Sequence, residues 1–181
     1  MRTMIDPILN APSPKFRILD IGTGRGSDAV RLAEAGHTVT AMDLCRLPEW
    51  DAIEMSSTIP ITFIQQDFLD WEGADPFDVV IDNGCFHHQH IDKVGAYLDR
   101  IRDLMIPGGI FMLSVFHDTT SHNDFEIVLS DRRLVRIYTV STLSKLLAKY
   151  GFEVMRLEHC QRASKAFPYD YLYVTAARDL P

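Results

Sequence analysis

Short apolar runs alternate with segments of helical period along most of the chain. Ile18 to Ile21, Thr38 to Asp43, Ile61 to Gln66, Phe77 to Asn83 and Ile110 to Phe116 each read as a short, largely buried strand. Between the first two, Ser27 to Ala35 has the composition of a helix, with Ala29, Leu32 and Ala33 on one face. Val94, Tyr97, Leu98, Ile101, Leu104 and Met105 keep strict helical spacing before the fifth strand. A later helix follows Thr139 or Ser141, either of which can cap it; Leu143, Leu146, Leu147 and Tyr150 form its buried face, and Gly151 ends it. Phe152 to Cys160 and Tyr169 to Ala177 read as two closing strands. Strands alternating with helices predict an α/β fold with a parallel sheet and right-handed crossovers.

The most informative stretch is Asp20-Ile21-Gly22-Thr23-Gly24-Arg25-Gly26, a glycine turn between the first strand and the first of these helices. Glycine reaches positive φ without steric cost and lets a ligand approach the backbone. Phosphate-cradling P-loops need a lysine that this turn lacks. The dinucleotide fingerprint Gly-x-Gly-x-x-Gly fits Gly22 and Gly24, but Ser27 stands where its third glycine belongs. Asp43 ends the second strand about twenty residues after the glycines, where a carboxylate can accept from both hydroxyls of a ribose. That serves NAD as well as other nucleosides. Asp20 and Asp43 could alternatively cap the helices that follow them.

The pattern Asp-x-Gly-x-Gly-x-Gly resembles the first motif of class I methyltransferases that use S-adenosylmethionine. Asp67-Phe68 after the third strand, Phe77 to Asn83, and Leu104 to Gly109 before the strand at Ile110 match later motifs of that family in order, over roughly the first two thirds of the chain. The resemblance implies a doubly wound, seven-stranded, mostly parallel sheet with an antiparallel last strand, in a single domain spanning residues 1–181. It also implies S-adenosylmethionine as cofactor, with S-adenosylhomocysteine as product. Asp20 would reach the amino end of the cofactor, Asp67 would take the adenine amino group, and the Phe68 N–H would meet the ring. The cofactor contacts expected are Asp20, Gly22, Gly24, Asp43, Leu44, Asp67, Phe68 and Asn83, with Asp70 an alternative to Asp67. Pro107-Gly108-Gly109 reads as a turn and helix stop without ligand contact.

Charge and cysteine content narrow the partners. The 181 residues carry a net charge of −7 and 46% hydrophobic content, enough to fill one core. Arg132, Arg133 and Arg136, with Arg156, Arg162 and Lys165 later, form the main basic cluster, read as an exposed strand and helix edge rather than a nucleic-acid face. Asp82-Asn83-Gly84-Cys85 also lacks the Asn/Asp-Pro-Pro-aromatic run of DNA base methylation. No apolar run is long enough to span a bilayer and no leader pattern is present, so no membrane partner is expected. Cys45, Cys85 and Cys160 share no disulfide spacing and read as reduced thiols in a cytoplasmic protein.

The acceptor should bind outside the carboxyl ends of the strands. That rim holds Asn83 to His90, His117 to Phe125, and the Arg162 to Tyr169 loop. Cys85-Phe86-His87-His88-Gln89-His90 invites a metal reading, with His117 and His122 added, but matches no usual zinc spacing, and no metal is expected. Acid–base or positioning work falls to His87, His88 or His117, with Tyr169 a further acceptor contact. Cys85 reads as a small apolar filler. Only about seventeen residues precede the first strand, leaving little chain to cover the cofactor. The cover would then come from Asp118 to Leu134, from Phe167-Pro168-Tyr169, or from a second copy of the chain in a homodimer. The run Asp-Asn-Gly-Cys-Phe-His-His looks most like the thiopurine and tellurite-resistance methyltransferases. The expected activity is methyl transfer to a small-molecule S, N or O nucleophile. The alternatives are a peptide, protein or carrier-bound acceptor, a non-catalytic cofactor-binding subunit, and an NAD-binding oxidoreductase.

Overall fold

The computed structural model describes residues 4–11, 15–56, 60–73, 76–161 and 168–180. Arg162, Lys165 and Phe167 therefore lie outside the described residues. Five strands, β1 (Arg17–Ile21), β2 (Thr38–Asp43), β3 (Ile61–Gln65), β4 (Phe77–Asn83) and β5 (Met105–His117), lie side by side in the order β3-β2-β1-β4-β5, all parallel. This order reverses direction at β1 and β4, where ligands collect in open α/β sheets. The closing strands β8 (Phe152–Cys160) and β9 (Asp170–Arg178) are antiparallel to each other, and β9 runs antiparallel along β5 from Ile110 to His117.

Two-residue periodicity in the strands sorts the core into two layers. Ile18, Val79, Ile81 and Met112 face a cluster with Ala29, Leu32 and Ala33 of α2 (Ser27–Glu34) and Ile8 of the short α1 (Asp6–Leu9). Their neighbours Leu19, Val80, Phe111 and Leu113 face the other way. They meet Val94, Tyr97, Leu98 and Ile101 of α4 (Ile91–Asp103) and Leu143 and Leu147 of α5 (Val140–Lys149). Helices on both faces make the sheet doubly wound, as expected. Thr139, not Ser141, caps α5: its side chain accepts from the Thr142 N–H at 3.2 Å.

Among the described residues the sheet has nine strands, the expected seven and two more. The two extra ones, β6 (Phe125–Val128) and β7 (Leu134–Tyr138), form an antiparallel hairpin that begins in the segment read as a cover, Asp118 to Leu134, and runs past it. β7 pairs in parallel with β5 at Phe116 and His117, just past the point where β4 ends at Asn83 opposite Ser114. With β9 on the other edge of β5, the hairpin extends the sheet over the carboxyl end of β4. A second difference concerns Pro107-Gly108-Gly109, which lies inside β5 instead of ending a helix. The β4–β5 register jumps there, from Phe77 opposite Met105 to Val79 opposite Ile110. A side chain on Gly109 would meet the Ile106 and Asp78 carbonyls at 2.9 and 3.1 Å, so only glycine allows the bulge. Two α-helices also lack a sequence counterpart, the short α1 and α3 (Pro48–Ser56), the latter after β2.

Candidate functional site

The glycine turn is held at both ends by main-chain bonds. Gly22 N–H and Thr23 N–H both donate to the Met42 carbonyl, at 2.9 and 3.0 Å, tying the turn to the end of β2. Gly22 has φ 70°, and a Cβ there would sit 2.7 Å from Cys85 Cβ, so the turn can reach the β4 loop only without a side chain. At Gly24 the opposite holds: its backbone is also left-handed, at φ 54°, but no atom lies within 4 Å of where a Cβ would be. The backbone is bare and open at this point.

Each carboxylate of the glycine-turn side has a distinct setting. Asp43 accepts from Gly24 N–H at 3.0 Å through Oδ2 and from Cys45 N–H at 3.2 Å through Oδ1. Each of its oxygens retains a lone pair for a further donor. Asp20 is buried and accepts from the Thr23 hydroxyl at 2.6 Å. Burial pushes its carboxyl up to about 7 against the Thr23 bond, and repulsion from Asp28, Asp82 and Asp43 adds to the rise. Neither aspartate caps a helix. α2 is preceded by Gly26 with no side-chain cap, and α3 starts at Pro48, well past Asp43.

A raised folded-state pKa stabilises the protonated form. Asp20 therefore contributes stability that is fully present below its unfolded pKa and lost as pH rises through about 7. Asp82, also raised by burial, to about 6, acts in the same direction, whereas His87, lowered to about 3, acts in the opposite one. Comparing wild type with Asp20→Asn isolates the Asp20 share. Between pH 6 and pH 8 the wild type should lose about 1 kcal/mol more than the variant, read by urea denaturation at both pH values. Equal losses would show that Asp20 is ionised already at pH 6.

A cavity of about 490 Å³ opens at the carboxyl ends of β1, β2 and β4. Gly22, Asp43, Leu44, Asp67 and Phe68 line it, five of the eight cofactor contacts expected from sequence. Asp67 Oδ1 accepts from the Leu69 N–H at 2.9 Å, leaving Oδ2 for another donor. Asp70 lines a separate groove with Trp71 and Arg17, so Asp67 and not Asp70 belongs to this site. Asp20 and Gly24 line no wall of the cavity; Asp20 lies buried beneath the turn, and Gly24 is bound to Asp43. Asn83 belongs elsewhere: it lines a smaller, adjoining cavity of about 360 Å³ and donates its amide N–H to Asp28 at 2.9 Å.

The wall between the two cavities is the loop after β4. Asp82, fully buried, accepts from Cys85 N–H at 2.8 Å, Phe86 N–H at 3.0 Å and the Tyr97 hydroxyl at 2.6 Å. These bonds wind the chain into a single 3-10 turn, Phe86–His88, that presents both imidazoles. His88 and Gly84 line both cavities and His87 lines the smaller one. His88 Nδ1 lies 2.7 Å from the Leu134 carbonyl, which can only accept. Nδ1 therefore carries the hydrogen of the neutral ring, and in that form the lone pair is on Nε2. His87 is 2% exposed, and burial together with repulsion from His88 lowers its pKa to about 3, so its ring is neutral. Cys85 fits the filler reading: burial first, then Asp82, pushes its thiol up to about 12, leaving it unionised at neutral pH.

Two expected acceptor contacts fall away from the cavities. His117 Nδ1 donates to the Tyr138 carbonyl at 2.7 Å under β7 and lines neither cavity. Tyr169 packs edge-on against Phe125, and Tyr171, two residues on in β9, takes the wall position instead. Arg133, from the β6–β7 turn, lines both cavities although the sequence reading placed it in an exposed basic edge; Gln89 and Tyr97, not expected as site residues, line the larger one. Among the described residues no group of three or more His, Cys, Asp or Glu side chains is placed to hold a metal ion. No helix among them is long and apolar enough to cross a membrane.

Comparison with known proteins agrees with this geometry. Residues 2–157 match the model of the family described as methyltransferase domain. The chain superposes with a TM-score of 0.84 and 35% identity on the 1,6-didemethyltoxoflavin-N1-methyltransferase of Burkholderia thailandensis, solved with 1,6-didemethyltoxoflavin and S-adenosylhomocysteine bound; the match covers 91% of this chain and 72% of that one. It is 25% identical over 150 residues to the probable thiol methyltransferase 2 of Arabidopsis thaliana, covering 80% of this chain and 62% of that protein. It is 31% identical over 104 residues to the 2-heptyl-1-hydroxyquinolin-4(1H)-one methyltransferase of Mycobacteroides abscessus, covering 55% of this chain and 45% of that one. The chain thus spans about half to two thirds of the length of these last two relatives. With its strand order, its glycine turn and the family match over most of its length, the chain belongs to the methyltransferase domain family and has the class I fold.

Proposed function

We propose that the protein transfers a methyl group from S-adenosylmethionine to a small-molecule acceptor. The observation that carries this reading is the larger cavity, where Asp43, Asp67 and Gly22 of the glycine turn line one space. The residues fit the cofactor. Asp43 keeps a lone pair on each oxygen for the two ribose hydroxyls, Asp67 Oδ2 is open to the adenine amino group, and Leu44 and Phe68 offer apolar contact to the ring. Asp20, buried beneath the turn and lining no wall of the cavity, would act on the cationic amino end through water. The Burkholderia relative, solved with S-adenosylhomocysteine, supports the same cofactor for this chain.

When bound, the cofactor supplies an electrophilic methyl on sulfur, displaced in line to leave S-adenosylhomocysteine. The chain's own part is alignment and proton handling. His88, on the wall shared by both cavities, is placed to take the proton from the acceptor's N–H, O–H or S–H on Nε2, while the Leu134 carbonyl holds the ring through Nδ1. The hairpin β6–β7 supplies the wall that a homodimer would otherwise have to provide, which favours a small acceptor over a peptide or carrier protein. Arg133 bonds to Asp131 and Arg136 pairs with Glu126, which supports the absence of a nucleic-acid face. The unpaired Cys45, Cys85 and Cys160 fit a cytoplasmic setting.

Calorimetric titration with S-adenosylmethionine, S-adenosylhomocysteine and NADH tests the reading. The first two should bind in the micromolar range, and Asp43→Ala should weaken them by about a hundredfold, the scale of losing two hydrogen bonds to a charged group. Asp43→Asn, which keeps an acceptor for the Gly24 N–H, should fall between. Binding of NADH alone would overturn the proposal. Binding of the cofactor without methyl transfer to any thiol, amine or hydroxyl acceptor would instead favour a non-catalytic subunit.

A further inference from the structure

The smaller cavity, which adjoins the cofactor site of the proposed methyltransferase, differs from it in charge. Asp43 and Asp67 line the larger cavity, whereas among the described residues no carboxylate lines the smaller one. In a chain of net charge −7, the one side chain of fixed charge on that wall is positive, the guanidinium of Arg133. Arg133 donates through Nε to Asp131 at 2.8 Å, and among the described residues no acceptor meets its Nη1 or Nη2. A guanidinium has one N–H on Nε and two on each Nη, so the end-on fork that matches a carboxylate stays open. The side chain is 60% exposed, which lets a ligand reach that fork.

The hairpin fixes this cation beside the imidazoles. Asp131 Oδ1 accepts from the Arg133 N–H at 3.1 Å while Oδ2 takes Nε, and the Leu129 N–H donates to the Arg133 carbonyl at 2.9 Å. The next residue, Leu134, offers the carbonyl that holds His88 Nδ1. Arg133 and His88 each line both cavities, which puts a cation and a proton acceptor at the junction. The charge is felt there: after burial and repulsion from His88, Arg133 contributes to the fall of the His87 pKa. The rest of the wall is apolar and flat. Phe116 and Tyr171 are stacked, with centroids 5.2 Å apart and planes 18° apart, and Leu129 joins them around a space of about 360 Å³, a size usual for small-molecule sites.

We infer that the methyl acceptor is a flat aromatic acid, its carboxylate bound end-on by Arg133 and its ring laid along Phe116 and Tyr171. The inference rests on the methyl-transfer reading of the larger cavity. Because Arg133 and His88 share the junction, the carboxylate and the group that receives the methyl belong to the end of the ligand nearest the cofactor. Cationic acceptors are disfavoured, since Arg133 repels them and no carboxylate on the wall offsets that. A neutral amide offers the fork one oxygen and no charge, and charge-assisted bonds are the stronger ones.

The test is calorimetric titration with matched probes, the protein being saturated in S-adenosylhomocysteine so that the cofactor's own carboxylate is already in place. Benzoate is paired with benzamide, and quinoline-2-carboxylate with quinoline-2-carboxamide. Each acid should bind at least about tenfold tighter than its amide, and Arg133→Gln should bring the ratio close to one. Arg133→Lys, a point charge without the fork, should fall between. Arg132→Gln removes the same charge from the same turn, at a residue that lines neither cavity, and should keep the wild-type ratio. Cyclohexanecarboxylate, equally charged but not flat, should bind several times more weakly than benzoate. Equal binding of acids and amides, the result expected if Arg133 pairs with the cofactor's carboxylate instead, would overturn the inference. So would no binding of any acid, a ratio lost equally in Arg132→Gln, or cyclohexanecarboxylate bound as tightly as benzoate. Failure of S-adenosylhomocysteine itself to bind would strike the proposed function rather than the choice of acceptor.

Discussion

Asp82→Ala is expected to cost about 3–5 kcal/mol of folding stability, measured by urea denaturation, because it leaves a set of buried donors without an acceptor. Asp82 is fully buried and holds the Cys85 and Phe86 N–H groups and the Tyr97 hydroxyl. The three donors favour the carboxylate, yet burial outweighs them and raises its pKa to about 6. Asp82→Asn should be milder, about 1 kcal/mol, since its oxygen can still take both main-chain donors while its N–H₂ meets the Tyr97 oxygen. The same bonds wind the 3-10 turn that carries His87 and His88, so the alanine variant should also lose the acceptor wall before it loses the glycine turn on β1. A loss below about 1 kcal/mol in Asp82→Ala would show that packing of Phe86 and Tyr97, whose ring centroids are 5.7 Å apart, shapes this turn without the carboxylate.

The parallel core was legible in the sequence because β1, β2 and β4 are buried on both faces and read as continuous apolar runs. The bounds of β2, β4 and β8 follow from the residues alone. The hairpin β6–β7 was not legible. Phe125 to Val128 alternate between half-buried and exposed, and the turn that follows places Arg132 at φ 68°, a conformation that normally announces itself with glycine or asparagine. Arg132, Arg133 and Arg136 read as an exposed strand and helix edge, so Arg133 was not placed in the site although it lines both cavities. Strand-end position found Asp43, Asp67 and Phe68, whose side chains or backbone point into the cleft. It could not say that Asn83 turns to Asp28, or that His117 is claimed by Tyr138 of a strand the pattern had not revealed. Tyr97 read as plain core at helical spacing, which its ring is; its hydroxyl on Asp82 is a contact between distant segments that no periodicity encodes.

The helix α3 was missed for a related reason, and its one buried side chain underlies the second large effect. A helix that buries only Trp50 shows no apolar stripe, so period analysis passes over it. Trp50 is nonetheless fully buried, stacked on Phe63 at 4.8 Å and 20°, and its indole N–H donates to the Gly24 carbonyl at 2.7 Å. The ring pair forms the floor of the glycine turn: a Cβ on Gly26 would sit only 3.0 Å from the Phe63 ring. Trp50→Ala should therefore cost about 3–5 kcal/mol, the usual scale for emptying a large aromatic site. It should also weaken S-adenosylhomocysteine binding severalfold, since Gly24 is bonded both to Trp50 and to Asp43. Trp50→Phe helps to separate the two causes, keeping an aromatic ring on Phe63 while removing the N–H and part of the indole's volume. If the turn is fixed by the hydrogen bond, the phenylalanine variant should keep most of the stability yet share the loss of affinity. Wild-type affinity in Trp50→Phe, beside weakened binding in Trp50→Ala, would assign the shape of the cofactor cradle to packing beneath it.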